Sequence, residues 1–417
     1  IVFLPFTGDI VNRRGEPSNE STGAYSYFRR ETERVKPGYY AVHLDRFDVD
    51  AELTTTTRVG FHRYKYNADE QAKVLINLEA SVGWEGEVIG NIVVENDSVV
   101  SGYRYSKGWA LNQKVYFTAT FSKPFTSYRL ADSTAYQAGD SITASKAYGE
   151  FAFDKDSLDN GELLVKVALS AVDIPNAKLN MEAELPLWNF DETKAQADDL
   201  WNSELARIKI ETTNDSLRSV FYTALYHTMI APSVFNDVNG QYLGADFKIH
   251  TLASGSNYTT FSLWDTYRAA QPLMTLIHTD RLPDMINTML RIYQEQGKLP
   301  VWHLVGNETN CMVGNPGIIV VVDAYLKGIG GFDKDLAYEA MKVSAMKDDR
   351  GLKWLKEYGY VPYDKEGPES VAKGLEFAIA DWSLAQVAKL RGEQKDYEYF
   401  LERSNSFAHY FDKDLQF

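Results

Sequence analysis

Cysteine is almost absent from this chain: Cys311 stands alone among 417 residues, which excludes an internal disulfide framework. Long apolar runs are missing too. No stretch approaches the roughly 18 consecutive apolar residues that cross a bilayer. The opening IVFLPF is too short for a signal peptide and has no basic flank. Net positive charge is lacking: 43 Lys and Arg against 58 Asp and Glu leave −15. Nucleic-acid phosphates would be repelled, so no nucleic-acid partner is expected. The seven histidines form no HExxH-type pair. A glycine-rich phosphate loop, a GxSxG elbow and a Rossmann fingerprint are also missing, so those chemistries have no motif to rest on.

What is present falls into two rhythms. Up to about residue 188 short Tyr-, Val- and Thr-rich segments alternate with period two, as in YYAVHLDRFDVDAELTTTTRVGFHRYKY and KVYFTATFSKPF. Gly, Asn, Asp and Ser clusters separate them, the pattern of an antiparallel β-sandwich, and helical periodicity is nearly absent. Residues 189–212, around ETKAQADDLWNSELARIKI, read as a linker helix. From 213 to 417 the apolar period becomes 3.6. NDSLRSVFYTALYHTMIAP carries Leu217, Val220, Phe221, Leu225 and Met229 as one stripe. Further helices are expected in PLMTLIHTDRLPDMINTMLRIYQEQG, NPGIIVVVDAYLKGI, KDLAYEAMKVSAM, ESVAKGLEFAIADWSLAQVAKLRG and EQKDYEYFLERSNSFAHYF. Several are apolar over much of their circumference, as inner helices of a barrel are. The fold class expected is therefore multidomain β + α, an antiparallel sandwich with its opening strands missing followed by a helical barrel with its close missing. The aromatic content of 13% suits sugar stacking and a large sandwich core equally.

Three polar clusters interrupt the helical half. FSLWDTYRAAQPLMTL places Trp264, Asp265 and Arg268 where a polar loop enters an apolar helix. Asp265 reads either as a helix-start carboxylate beside a packed tryptophan or as a ligand group. LPVWHLVGNETNCMVGNPG sets Trp302, Glu308 and Asn315 in one loop, whose dense polar groups must bond to each other or to a ligand. The alternative there is that Glu308 and Thr309 cap a helix and Trp302 is core. Cys311 reads as a small packed residue, since no basic partner activates it. GLEFAIADWSLAQVA carries Glu376 and Asp381 five residues apart, so they point in different directions. Each reads as a structural ion pair or as a ligand group. DKDSLDNGE misses the calcium-loop spacing and reads as a hairpin turn.

The segments PGYYAVHL, AELTTTTRVGFHRY, SVFYTALYHTMIAPSVFNDVNGQYLG, FSLWDTYRAAQPL, GNETNCMVGNPGIIVVVDAYLKGI and GLEFAIADWSLAQVAKLRG, in that order, resemble the exo-acting α-mannosidases of glycoside hydrolase family 92. The resemblance covers nearly the whole chain. It implies a sandwich followed by an (α/α)6 barrel, a site between the two, and a Ca2+ cofactor that holds mannose hydroxyls. It also implies release of terminal mannose with inversion, which needs an acid and a base about 6.5–9.5 Å apart. The expected partner is a mannose-containing glycan, in an exported, glycan-degrading enzyme. The family's opening motifs would precede Ile1, and its acid, its base and most metal ligands are expected beyond Phe417. The chain alone is thus expected to be inactive, with no catalytic residue of its own, its metal ligands unknown, and its site completed by missing parts of the same polypeptide. Asp265 and Arg268 are implied to grip mannose hydroxyls and Trp264 and Trp302 to shape the pocket. Glu308 and Asn315 come second, and Glu376 and Asp381 last. The linkage preference stays open. The alternatives are another sugar enzyme of the same plan, a phosphorylase or glucoamylase-like hydrolase, or a non-catalytic carbohydrate-binding module.

Overall fold

The computed structural model describes residues 1–11, 23–81, 83 and 85–416. It divides into two compact units, Ile1–Tyr222 with Asn236–Gln241, and Thr223–Phe235 with Tyr242–Phe417.

In the first unit the alternating segments form two antiparallel sheets, one of nine strands and one of five. The large sheet is ordered 141–144, 86–94, 99–107, 113–121, 162–170, 59–66, 49–55, 39–44, 34–36. Side chains from both sheets share one core, with Tyr64, Phe117 and Leu163 from the large sheet and Phe6, Val74 and Phe151 from the small one. Strand Val59–Tyr66 shows how period two works when both faces are covered. Its Tyr64 and Tyr66 enter that core, while Val59 and Phe61 pack on the other side with Met181, Leu185 and Phe190.

Those last residues belong to helical segments, one of which corrects the all-β reading. Helix Ile174–Glu184 lies inside the stretch expected to be strands. Its buried face carries Asn176 and Asn180 beside Ala177 and Met181, so no apolar period announces it. The asparagines are buried because they are bonded. Asn180 Nδ2 donates to Leu169 O at 2.9 Å and to Asp237 Oδ1 at 2.7 Å, and Asn176 Nδ2 donates to Gln241 Oε1 at 2.8 Å. The expected linker helix spans Phe190–Leu205, with the Asn189 side chain accepting from Glu192 N at its start. The stretch Asp154–Glu162 ends, as expected, in a tight turn: Asn160 at φ 55° and Gly161 at φ 76° are closed by the antiparallel bridge Asp159–Glu162. It holds the 3-10 turn Lys155–Ser157 and leads from the small sheet to the large one.

The second unit is helical. Leu282–Gln296, Pro316–Leu326, Lys334–Met346 and Ser370–Arg391 surround a core that includes Ile286, Met289, Val321, Met341 and Leu384. The segment read as one helix from Pro272 to Gly297 is two, Ala270–Ile277 and Leu282–Gln296. Pro283 explains the break. It has no N–H to donate and its ring collides with a helical carbonyl four residues back, but it suits a first turn.

A small antiparallel ladder completes this unit. Phe261–Ser262 pairs with Trp302–Leu304, which pairs with Asn307–Glu308. The segment read as a polar loop is thus partly a hairpin. Its two-residue turn, Val305 at φ 43° and Gly306 at φ 81°, has the positive dihedrals that match strand twist.

Candidate active site

The ladder brings the first two polar clusters together. Phe261 faces His303 and Ser262 faces Trp302 in register. Thr259 reinforces the junction: its Oγ1 accepts from Val305 N at 2.6 Å and lies 3.5 Å from His303 Nδ1. Burial lowers His303 to about 4, so the imidazole is neutral near pH 7.

Immediately after the ladder the chain makes a four-residue helix, Leu263–Thr266. Asp265 lies on this single turn, separate from the longer helix that starts at Ala270, so the expected loop-to-helix entry is broken in two. The Asp265 carboxylate is exposed and accepts the Ser262 hydroxyl. Arg268 lies against the rings of both Trp264, at 4.9 Å, and Tyr267, at 4.5 Å. The Trp264 indole N–H is buried and has no hydrogen-bond partner among the described residues.

Glu376 joins this turn from helix Ser370–Arg391. Its Oε1 accepts from Arg268 Nη2 at 2.7 Å and its Oε2 from the Tyr267 hydroxyl at 3.0 Å. Burial, reinforced by the Glu376 bond, pushes the Tyr267 hydroxyl up to about 12. The Glu376 bond also raises Arg268, which stays charged.

Glu308 does different work. Its carboxylate accepts three backbone amides, from Val301 at 2.8 Å, Trp302 at 3.0 Å and Asn310 at 2.9 Å. It therefore clasps the hairpin, not a helix end. Trp302, 7% exposed, is a buried residue of that hairpin's first strand. Asn315 precedes helix Pro316–Leu326 without capping it through its side chain, and Nδ2 donates to Ser344 O at 3.3 Å. Cys311 is exposed, not packed. Asp381 is buried in an ion pair with Arg403, Oδ2 to Nε at 2.6 Å, away from Glu376 as the five-residue spacing implied.

Two participants escaped the sequence reading. Tyr267 stands inside the WDTYR run and was passed over between Asp265 and Arg268. Arg350 gave no local signal; its partly buried guanidinium donates to the carbonyls of Gly314 and Met312 and so ties down the loop after the hairpin.

A ring, a carboxylate and a guanidinium on one rigid turn suit recognition of vicinal hydroxyls. All four candidate carboxylates accept hydrogen bonds: Asp265 from Ser262, Glu308 from backbone amides, Glu376 from Arg268 and Tyr267, Asp381 from Arg403. Among the described residues no group of three or more His, Cys, Asp or Glu is placed to hold a metal ion. The described residues thus offer no carboxylate or imidazole cluster for the calcium implied by the resemblance.

Comparison with known proteins decides the family. The model of the glycosyl hydrolase family 92 N-terminal domain matches residues 1–170, and that of the catalytic domain matches residues 176–417. The chain belongs to glycosyl hydrolase family 92. A family 92 α-mannosidase from Bacteroides thetaiotaomicron is 36% identical with a TM-score of 0.95, covering 100% of this chain and 57% of that one. The same enzyme has been solved in complex with mannoimidazole. A family 92 inverting mannosidase from the same organism is 25% identical, TM-score 0.89, over 100% of this chain and 56% of that one. An uncharacterized secreted glycosidase of Arthroderma benhamiae is 22% identical, over 93% of this chain and 50% of its own length. The family 92 chain thus has the expected fold class, β-sheets followed by a helical domain, and spans 50–57% of the length of these relatives.

Proposed function

We propose that the protein is an exo-α-mannosidase that releases terminal mannose from α-mannosides of a glycan. The observation that carries this reading is the Trp264–Arg268 turn, in a chain 36% identical over its full length to a family 92 α-mannosidase. The mannoimidazole complex of that relative supports a mannose-shaped pocket. An inverting course is supported by the relative named as an inverting mannosidase, and export by the relative described as secreted. Calcium dependence and N-glycan degradation are part of the proposal for the whole protein. In it Asp265 and Arg268 grip sugar hydroxyls, Trp264 lines the pocket, and Trp302 with Glu308 and Asn315 supports the turn from behind. The 417-residue chain covers 57% of the length of that α-mannosidase and is expected to turn over no mannoside by itself.

The test is mannose release from α-1,2-, 1,3-, 1,4- and 1,6-mannobiose, with and without EDTA, by the full-length protein and by this chain. Calcium-dependent release by the full-length protein alone is expected. Release by the chain would return Glu308, Glu376 and Asp381 to consideration as catalytic groups. No release by either removes the mannosidase reading.

A further inference from the structure

We propose that Glu376 is a positioning residue for sugar binding, holding the Trp264–Arg268 turn in shape through Arg268 and Tyr267. The proposal rests on the mannosidase reading for its ligand, and on geometry for the rest. A four-residue helix is far too short to hold itself, since nucleation costs more than one turn returns. The turn must be shaped from outside. Glu376, on a different helix, accepts one bond from each of two consecutive residues of the turn, and its side chain is 12% exposed against 46% for Arg268. The ion pair is therefore shielded on the carboxylate side, unlike a surface pair of little worth. Arg268 spends one of its five N–H donors on Glu376 and rests on the Trp264 ring, leaving other donors for a ligand.

The second polar cluster rests on the same side chain. A Cβ at Gly314, where φ is +78°, would lie 2.5 Å from Glu376 Cβ. Only glycine lets the loop after the hairpin lie on the Glu376 stem. Trp264, whose buried N–H has no partner among the described residues, has the Arg268 guanidinium 4.9 Å from its ring, so a displaced Arg268 changes the surroundings of the ring. Both Glu376 oxygens are occupied, which argues for support of the turn and against direct contact with sugar.

The test uses the full-length protein with Glu376→Gln, which keeps the size and a bond to Tyr267 but removes the charge. KM for the cleaved mannobiose should rise about tenfold while kcat stays within about threefold, the mark of lost binding common to ground and transition states. The melting temperature should move by less than about 2 °C. A merely structural residue would instead lower the melting temperature and the active fraction and leave KM alone. Unchanged KM overturns the proposal. A second readout needs no substrate: in protein labelled with 5-fluorotryptophan, the Trp264 resonance, assigned with Trp264→Phe, should move in Glu376→Gln. A stationary resonance overturns the proposal even if no mannoside is cleaved, whereas absent cleavage with a shifted resonance removes only the mannosidase reading.

Discussion

Val305 is a β-branched residue at φ 43°, a region that such side chains enter only under strain. The two-residue turn it shares with Gly306 would be filled with less cost by Asn-Gly. The backbone N–H that binds Thr259 is untouched by such a change. Val305→Asn should therefore stabilise the chain by about 1 kcal/mol, read as a rise of a few degrees in melting temperature. A fall would mean that the valine side chain contributes more than its backbone loses. His303 makes a second prediction at this scale. Its folded value, about 4, lies below the ordinary 6.5 because of burial, so between the two the unfolded chain takes up a proton that the folded chain refuses. Stability is then complete above about pH 6.5 and falls as pH is lowered toward 4. His62 in the sandwich, lowered equally by burial, adds a second drop of the same sign. Urea midpoints between pH 7 and 4.5 should fall, and His303→Gln should flatten part of the slope. An unchanged slope in the variant would show that His303 takes up its proton equally in the folded and unfolded chains.

Helix Ser370–Arg391 sends its two carboxylates to opposite tasks, and the difference was half legible. The five-residue spacing says that Glu376 and Asp381 diverge, but nothing in GLEFAIADWSLAQVA names their partners. Arg268 lies 108 residues from Glu376, and Arg403 lies 22 from Asp381 in a segment that reads only as a polar helix. Long-range pairing has no local signature. The same reason hid Arg350, and a bonded asparagine face hid helix Ile174–Glu184. Segments with an apolar period were recognised as helical, though one of them proved to be two helices, while the ladder was missed because its strands are two or three residues long. The Asp381–Arg403 pair invites a test at this scale. Asp381→Asn should destabilise by about 3–5 kcal/mol, since it leaves a buried guanidinium unpaired, and the double variant Asp381→Leu with Arg403→Met should recover most of that loss. Chemical denaturation decides it. A double variant no more stable than the single one would mean that the pair also anchors Ala345, whose carbonyl accepts from Arg403 Nη2 at 2.9 Å.

At the scale of the whole chain the same helix is apolar on two faces. One face buries Phe377, Ala380, Leu384 and Ala388 in the cores of the helical unit. The other carries Val371, Leu375, Ile379, Trp382 and Leu390, which are 40–65% exposed and recur at helical spacing. Leu217 and Val220, part of the stripe expected to be buried on helix Asp215–His227, are exposed as well. Scattered exposed apolar residues are ordinary, but a continuous stripe of them marks a surface that binds or aggregates. The 417-residue chain should accordingly bind the apolar dye ANS and associate as its concentration rises. Ile379→Glu with Trp382→Gln should reduce both effects and leave the melting temperature nearly unchanged. Leu384→Ala, on the buried face of the same helix, should cost about 2–5 kcal/mol and leave dye binding by the folded chain intact. Light scattering, dye fluorescence and calorimetry on these variants separate the two faces. If the exposed-face pair proves as destabilising as Leu384→Ala, the stripe is already packed in solution and the association prediction fails with it.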